Sequence, residues 1–286
     1  MIGGFALSET VPVELYRDNR NTKDFVVSNS DIVSSAKNTS YSLFGQVNWF
    51  ATEQLELVMG GRYSWDKQVY TRFKVPGTGF TLPYVSDIST SQLTGKLGVN
   101  YHLNDATMLY VTASKGYKAG GVNLTPLTPN FLPERNFVYE GGFKTELLDK
   151  HLRVNGDVFY SVYKDIQLAS LVGGLPVTQN ALGGHSKGAE LEVTAKFGGF
   201  AANFGVSYLD AKFSNSACIS DTNAPGTDAG CATNLRFVPQ DRRLPFSPRW
   251  TDNAGIQYTI PLGSDVEVTP RLQWSHLSQQ WATPFP

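Results

Sequence analysis

The strongest constraint on this chain is a two-residue rhythm. Leu93, Gly95, Leu97, Val99, Tyr101 and Leu103 take the odd positions of one stretch, and Thr94, Lys96, Gly98, Asn100 and His102 take the even ones. Successive side chains of a strand point to opposite faces, whereas an amphipathic helix repeats its apolar residues every three or four positions, so this stretch predicts a strand with one oily face and one wet face. The rhythm recurs along the chain. Leu55, Leu57, Met59, Gly61, Tyr63 and Trp65 oppose Glu56, Val58, Gly60, Arg62, Ser64 and Asp66; Leu152, Val154, Gly156, Val158 and Tyr160 oppose Arg153, Asn155, Asp157 and Phe159. Further on, Leu191, Val193, Ala195 and Phe197 oppose Glu190, Glu192, Thr194 and Lys196, and Val266, Val268, Leu272 and Trp274 oppose Glu267, Thr269, Arg271 and Gln273.

The segments between these runs are of two kinds that take turns. Short ones (51–54, 104–106, 148–150, 198–200 and 263–265) suit tight hairpins, and long ones (74–90, 118–135, 172–185 and 215–248) are rich in Pro, Gly, Asn, Ser and Thr. The spacing predicts eleven strands, near 1–12, 38–50, 55–73, 90–103, 107–117, 136–147, 151–170, 186–197, 201–214, 249–262 and 266–280. Composition agrees with strands and turns: 13 Tyr, 17 Phe and 27 Gly. No window approaches the roughly 18 apolar residues of a membrane-crossing helix. A barrel strand needs only about 9–11 residues with one apolar face, so a mean hydropathy of −0.22 is compatible with a membrane protein. Net charge is −1, which removes the bulk electrostatic case for a nucleic-acid partner.

Short turns on one rim and long loops on the other are the signature of a transmembrane barrel, whose outer end meets its ligand. The fold expectation is therefore all-β, an antiparallel transmembrane β-barrel. Aromatics near the strand ends (Trp49, Tyr63, Trp65, Tyr101, Tyr160, Tyr208, Trp250 and Trp274) suit the two interfacial girdles of such a barrel. Charges at Glu140, Lys144, Arg153, Asp157, Glu190, Glu192 and Lys196 then line a wet lumen. On this assignment Leu97→Arg is damaging and Asn100→Arg nearly silent.

Several strings resemble the C-terminal barrel of TonB-dependent receptors. They are Tyr41-Ser-Leu-Phe-Gly-Gln-Val47 leading into Met59-Gly-Gly-Arg-Tyr63, and Leu97-Gly-Val-Asn-Tyr101 followed by the stretch 109–121. Tyr139-Glu-Gly-Gly-Phe-Lys144, Asn155-Gly-Asp-Val-Phe-Tyr160, Lys187-Gly-Ala-Glu-Leu-Glu192 and Leu244-Pro-Phe-Ser-Pro-Arg-Trp250 complete the set, whose order and spacing cover nearly the whole chain. The resemblance implies a barrel of about 22 strands filled by a plug. Residues 1–286 then read as a fragment of one barrel domain, about eleven strands, with the N-terminal plug and the C-terminal closing strands missing. Met1 is followed by no basic region or apolar signal run, which fits either a cytoplasmic chain or one whose true N-terminus lies elsewhere; the resemblance implies the second. Also implied are localisation in the Gram-negative outer membrane, partnership with its lipid, coupling to the TonB complex through the missing N-terminal region, and import of a scarce extracellular ligand such as an iron siderophore. A passive porin-like channel and a carbohydrate-binding surface β-protein are the alternatives. No enzyme activity, cofactor or metal site is implied.

Gly184-His-Ser-Lys-Gly188 matches a hydrolase nucleophile elbow, but the elbow needs a helix after it and an alternating strand follows here. His102, His151, His185 and His276 make no metal-ligand spacing, and Asp221-Thr-Asn223 lacks the closing acid of a calcium loop. Cys218 and Cys231, the only cysteines, share the longest loop; a disulfide there fits an oxidising folding route, two free thiols a cytosolic one. Position alone nominates Phe80, Tyr84, Phe131, Arg135, Arg236 and Phe237 as loop residues for contacting ligand, the aromatics by stacking and the arginines by pairing with anionic groups.

Overall fold

The computed structural model describes residues 1–20, 27–74, 83–123, 129–172, 175–180, 183–220, 231–232 and 235–285. These form seventeen strands: β1 (Ile2–Arg20), β2 (Val27–Phe50), β3 (Leu55–Lys74), β4 (Tyr84–Asn104), β5 (Thr107–Lys118), β6 (Glu134–Leu147), β7 (Leu152–Lys164), β8 (Gln167–Val172), β9 (Leu175–Asn180), β10 (Gly184–Phe197), β11 (Phe200–Phe213), β12 (Ala217–Ser220), β13 (Leu235–Val238), β14 (Trp250–Tyr258), β15 (Ile260–Pro261), β16 (Glu267–Val268) and β17 (Arg271–Leu277). Eleven build one sheet in the order β1-β2-β3-β4-β5-β6-β7-β10-β11-β14-β17, and β8–β9, β12–β13 and β15–β16 are separate two-stranded ribbons. Each ladder is antiparallel and joins strands that follow one another along the chain once the three ribbons are set aside, the order expected of an up-and-down sheet.

Register locks the two faces. Leu97 lies opposite Met59 on one side and Ala113 on the other, and Tyr139 lies opposite Ala113 and Tyr160. Because ladder partners share a face, the apolar phases of all these strands coincide. That face is the exposed one: Leu43 is 64% exposed, Leu97 60%, Val111 65%, Val158 62% and Leu272 70%. The opposite face holds buried Ser64, Thr112, Ser161 and Ser186. A water-soluble sheet has the reverse arrangement, so the oily side of this one requires a non-aqueous solvent.

The polar face is the inner one. Tyr117 on β5 donates from its hydroxyl to Asp66 Oδ2 on β3 at 2.5 Å, reaching past β4, and Arg62 on β3 stands over the ring of Phe5 on β1 at 5.6 Å. At the short-turn rim the connections are 51–54, Asp105–Ala106, 148–151 and Gly198–Gly199. Gly198 takes φ +56°, a conformation its missing side chain makes easy. At the other rim lie the long connections, 119–133, 165–183 and 214–249.

Several boundaries differ from the sequence reading. β1 and β2 continue well past the expected 1–12 and 38–50, because their long ladder, Ile2↔Gly45 to Arg20↔Val27, pairs the backbone where the side chains are too polar to signal a strand. Residues 151–170 are not one strand: Asp165, at φ +58°, turns the chain between β7 and β8. The expected loops 172–185 and 215–248 contain strands β9, β12 and β13. Leu168, Ile219 and Val238 of these ribbons join Ile166 and the β11 residue Phe213 in the main apolar core among the described residues, with Tyr163, Leu244 and Phe285 packed against it. That core sits at the long-loop rim. Cys218 and Cys231 are joined as a disulfide, Cα–Cα 5.7 Å, tying β12 to the segment before β13. The nucleophile-elbow residues fall inside β10, with Ser186 buried between β7 and β11 and no helix following.

Candidate functional site: a cleft at the long-loop rim

A cleft of about 560 Å³ opens on the polar face at this rim, lined by Phe5, Glu9, Asn38, Asp66, Gln68, Lys118, Phe131 and Gln167 among others. Its floor is strand and its roof is loop. Asn38 and Gln68 sit on neighbouring positions of β2 and β3, and Gln68 Nε2 donates to Asn38 Oδ1 at 2.8 Å. Asn38 Nδ2 in turn donates to Glu9 Oε1 at 3.0 Å. Ser40 Oγ donates to Asp66 Oδ1 at 2.7 Å, so both oxygens of that carboxylate are engaged, the second by Tyr117. This row of amide, carboxylate and hydroxyl groups offers both donors and acceptors to a polar ligand.

The loop after β5 is anchored as the roof. The backbone N–H of Val122 donates to Gln68 Oε1 at 2.7 Å, and Gly121 and Phe131 exchange backbone hydrogen bonds of 3.0 Å. Close approach is possible because Gly120 and Gly121 lack side chains: a Cβ at Gly120 would stand 2.5 Å from the Phe131 carbonyl oxygen. Asn123 Nδ2 donates to the carbonyl of Thr178 at 2.8 Å and Asn180 Nδ2 to that of Leu132 at 2.9 Å, fastening the loop to the β8–β9 ribbon. Gln167 Nε2 donates to Ala119 O at 2.8 Å and Leu132 O at 3.1 Å. The cleft is therefore held by side-chain-to-backbone bonds before any ligand arrives, the preorganisation that limits the entropy lost on binding.

Of the residues nominated by sequence, Phe131 alone lines this cleft. Phe80 lies outside the described residues. Tyr84 is the first residue of β4, opposite Arg72, rather than in a loop. Arg135 is on β6 and its guanidinium is ion-paired with Asp165. Arg236 and Phe237 belong to β13; Arg236 stands over the Phe285 ring at 5.3 Å, and neither residue borders the cleft. Sequence reasoning missed Glu9, Asn38, Asp66, Gln68, Lys118 and Gln167. The signal for Asp66 and Gln68 was present, since the alternation of β3 places even positions on the polar face and both lie far from the short turn at 51–54.

Residues 2–284 match the family model described as TonB dependent receptor-like, beta-barrel. The chain belongs to this family. Its members are β-barrels of the Gram-negative outer membrane, which supplies the non-aqueous solvent that the exposed apolar face requires. The pesticin receptor of Yersinia enterocolitica is 26% identical over 257 residues, 86% of this chain and 35% of the relative, and that of Yersinia pestis is 25% identical over the same span. The chain thus spans about a third of the length of the curated relatives it matches. Among solved structures, the ferric yersiniabactin uptake receptor FyuA from Yersinia pestis superposes with TM-score 0.77 at 19% identity, covering 99% of this chain and 40% of that one. The siderophore receptor PiuA from Acinetobacter baumannii gives 0.62 at 16% identity over 82% of this chain and 33% of its own. At these identities the likeness establishes the barrel fold.

Proposed function

We propose that this family member is the barrel portion of an outer-membrane receptor that takes up an iron siderophore, with TonB-coupled energy delivered through an N-terminal plug. Residues 1–286 are then part of one barrel domain, and further strands of a longer protein pair with the free edges of β1 and β17. Unpaired strand edges cannot face hydrocarbon, which supports this reading. The observation that carries the functional part is the preformed polar cleft at the long-loop rim, on the lumen side of a sheet whose other side is oily. A wet, prebuilt cleft at that end suits capture of a polar chelate from outside, and a structural relative named as a ferric yersiniabactin uptake receptor favours iron chelates. No bond is made or broken in the ligand; binding and passage are the whole chemistry.

The test is uptake of radiolabelled ferric siderophores by cells in which the complete gene is deleted or restored. Deletion should abolish uptake of one chelate, and a protonophore should abolish it in restored cells. Uptake that continues after the protonophore would indicate a passive channel. Phe131→Ala in the complete receptor should raise the half-saturation concentration by roughly two- to tenfold, the worth of one aromatic contact.

A further inference from the structure

Two polar side chains on the lumen face of β3 are buried without partners. Tyr70 is 2% exposed and Arg72 4%, and they follow Gln68, a residue of the cleft, on the same face. The Tyr70 hydroxyl has no hydrogen-bond partner, and neither has Nε or Nη2 of Arg72. The Arg72 guanidinium stands over the Tyr70 ring at 5.9 Å. The ladder partners of the two residues, Ala36, Ser34, Ser86 and Tyr84, carry no charge. Asp66, the nearest acid on this face of β3, is roughly 20 Å away along the strand. Both of its oxygens are already engaged, by Ser40 and Tyr117.

A guanidinium sealed from water without an anion is costly, and a buried polar atom left unpaired needs a physical reason. The unpaired atoms form a pattern. Nε and Nη2 lie on one edge of the guanidinium and aim two N–H bonds in parallel, the arrangement that a carboxylate accepts with both oxygens. The Tyr70 hydroxyl adds a donor on the same face. The roof loop passes over this place. Val122 is bonded to Gln68, and Ser86 Oγ, opposite Tyr70, donates to Asn130 Oδ1 at 3.0 Å, while Asn130 Nδ2 donates to the carbonyl of Asp87 at 2.9 Å. These free donors therefore continue the polar floor of the cleft beneath the segment that roofs it.

We propose that Arg72 selects the charge of the imported chelate: its Nε and Nη2 edge, with the Tyr70 hydroxyl, takes a carboxylate carried by that chelate as the roof loop lifts. The assignment rests on the uptake reading above and narrows it to ligands with a free carboxylate. Folding leaves Arg72 unpaired, and binding supplies the counter-charge, a cost in stability exchanged for selectivity.

The experiment uses the complete receptor in neutral detergent and has two arms. In thermal unfolding without any chelate, Arg72→Met should leave the midpoint unchanged or raise it, because the variant keeps the apolar stem and removes an uncompensated buried charge. A lowered midpoint would show that another part of the complete chain already pairs with Arg72, and would overturn the assignment. Binding is measured with radioiron complexes of hydroxamate, catecholate and phenolate chelators, each made with a pendant carboxylate and with that carboxylate converted to a carboxamide. The wild type should bind the carboxylate forms roughly tenfold or more tighter than the carboxamides. Arg72→Met should remove that preference by weakening the carboxylate forms alone, Tyr70→Phe should narrow it, and Arg72→Lys, which keeps the charge without the fork, should keep only part of it. Equal weakening of both forms would make Arg72 a structural residue, and a preference that survives Arg72→Met would put the anion elsewhere; either result overturns the assignment. So does binding of no carboxylate form by a receptor whose gene still drives iron uptake. Gene deletion without effect on uptake of any ferric chelate would overturn the uptake reading itself, a distinct outcome.

Discussion

At the scale of single residues, solvent preference is reversed from a soluble protein, and this is where substitutions discriminate most sharply. Leu97 is 60% exposed on the apolar face. An arginine there meets hydrocarbon, and Leu97→Arg should lower the stability of the complete receptor in a bilayer by about 2–4 kcal/mol if the site is near midplane, read by urea titration in vesicles. Asn155→Arg, on the lumen face opposite Glu192 and Lys144, should change it by less than about 1 kcal/mol. Asn100, which alternation alone marks as an indifferent lumen position, is not a neutral control. Its amide donates to Glu56 Oε2 at 2.7 Å while Asn48 donates to Oε1 at 2.6 Å, so Asn100→Arg disturbs a nearly buried carboxylate. At the cleft, a side chain on Gly121 would overlap the Phe131 ring. Gly121→Val should therefore weaken ligand capture several-fold while the midpoint of sheet unfolding moves little; an unchanged half-saturation concentration would remove the roof loop from the site.

Among elements, the long strands owe their length to pairing and the ribbons to packing, and the sequence advertises the two unequally. The strands of clean alternation, β3, β4 and β10, were legible because each carries a full apolar face. The first half of β2, Val27 to Lys37, is mostly Ser, Asn and Asp and reads as loop; only the ladders with β1 and β3 make it a strand. In β9, Pro176 and the preceding Gly173 and Gly174 mask a hairpin, and β12 and β13 are four residues each, too short for a period to show. The ribbons persist because Ile219 and Val238 bury against Phe213 and Ile166. The Cys218–Cys231 link closes a loop of sequence separation 13, for which chain entropy gives about 3 kcal/mol of local stabilisation. Reduction, or Cys218→Ser with Cys231→Ser, should expose 215–238 to protease while the barrel remains folded in detergent. Unchanged cleavage would place the ribbon's order in its packing alone.

For the whole molecule, the alternation of side chains, the alternation of short and long connections and the resemblance of strings such as Leu97-Gly-Val-Asn-Tyr101 were enough to reach the fold and the membrane. The cleft was not legible, since it depends on a loop folding inward onto β3 through Gln68 and Val122, a contact that sequence spacing does not encode. Arg236 and Phe237, nominated by loop position, sit in a separate ribbon. The claim beneath all of this is that one face of the sheet meets lipid and the other meets water. Single spin labels at each position from 93 to 103, in the complete receptor reconstituted into vesicles, test it directly through collision with oxygen, which concentrates in lipid, and with a nickel chelate, which stays in water. Oxygen accessibility should peak at Leu93, Leu97, Val99 and Tyr101, and nickel accessibility at Thr94, Lys96, Gly98 and Asn100. Profiles without a period of two, or with the phases exchanged, would contradict the account.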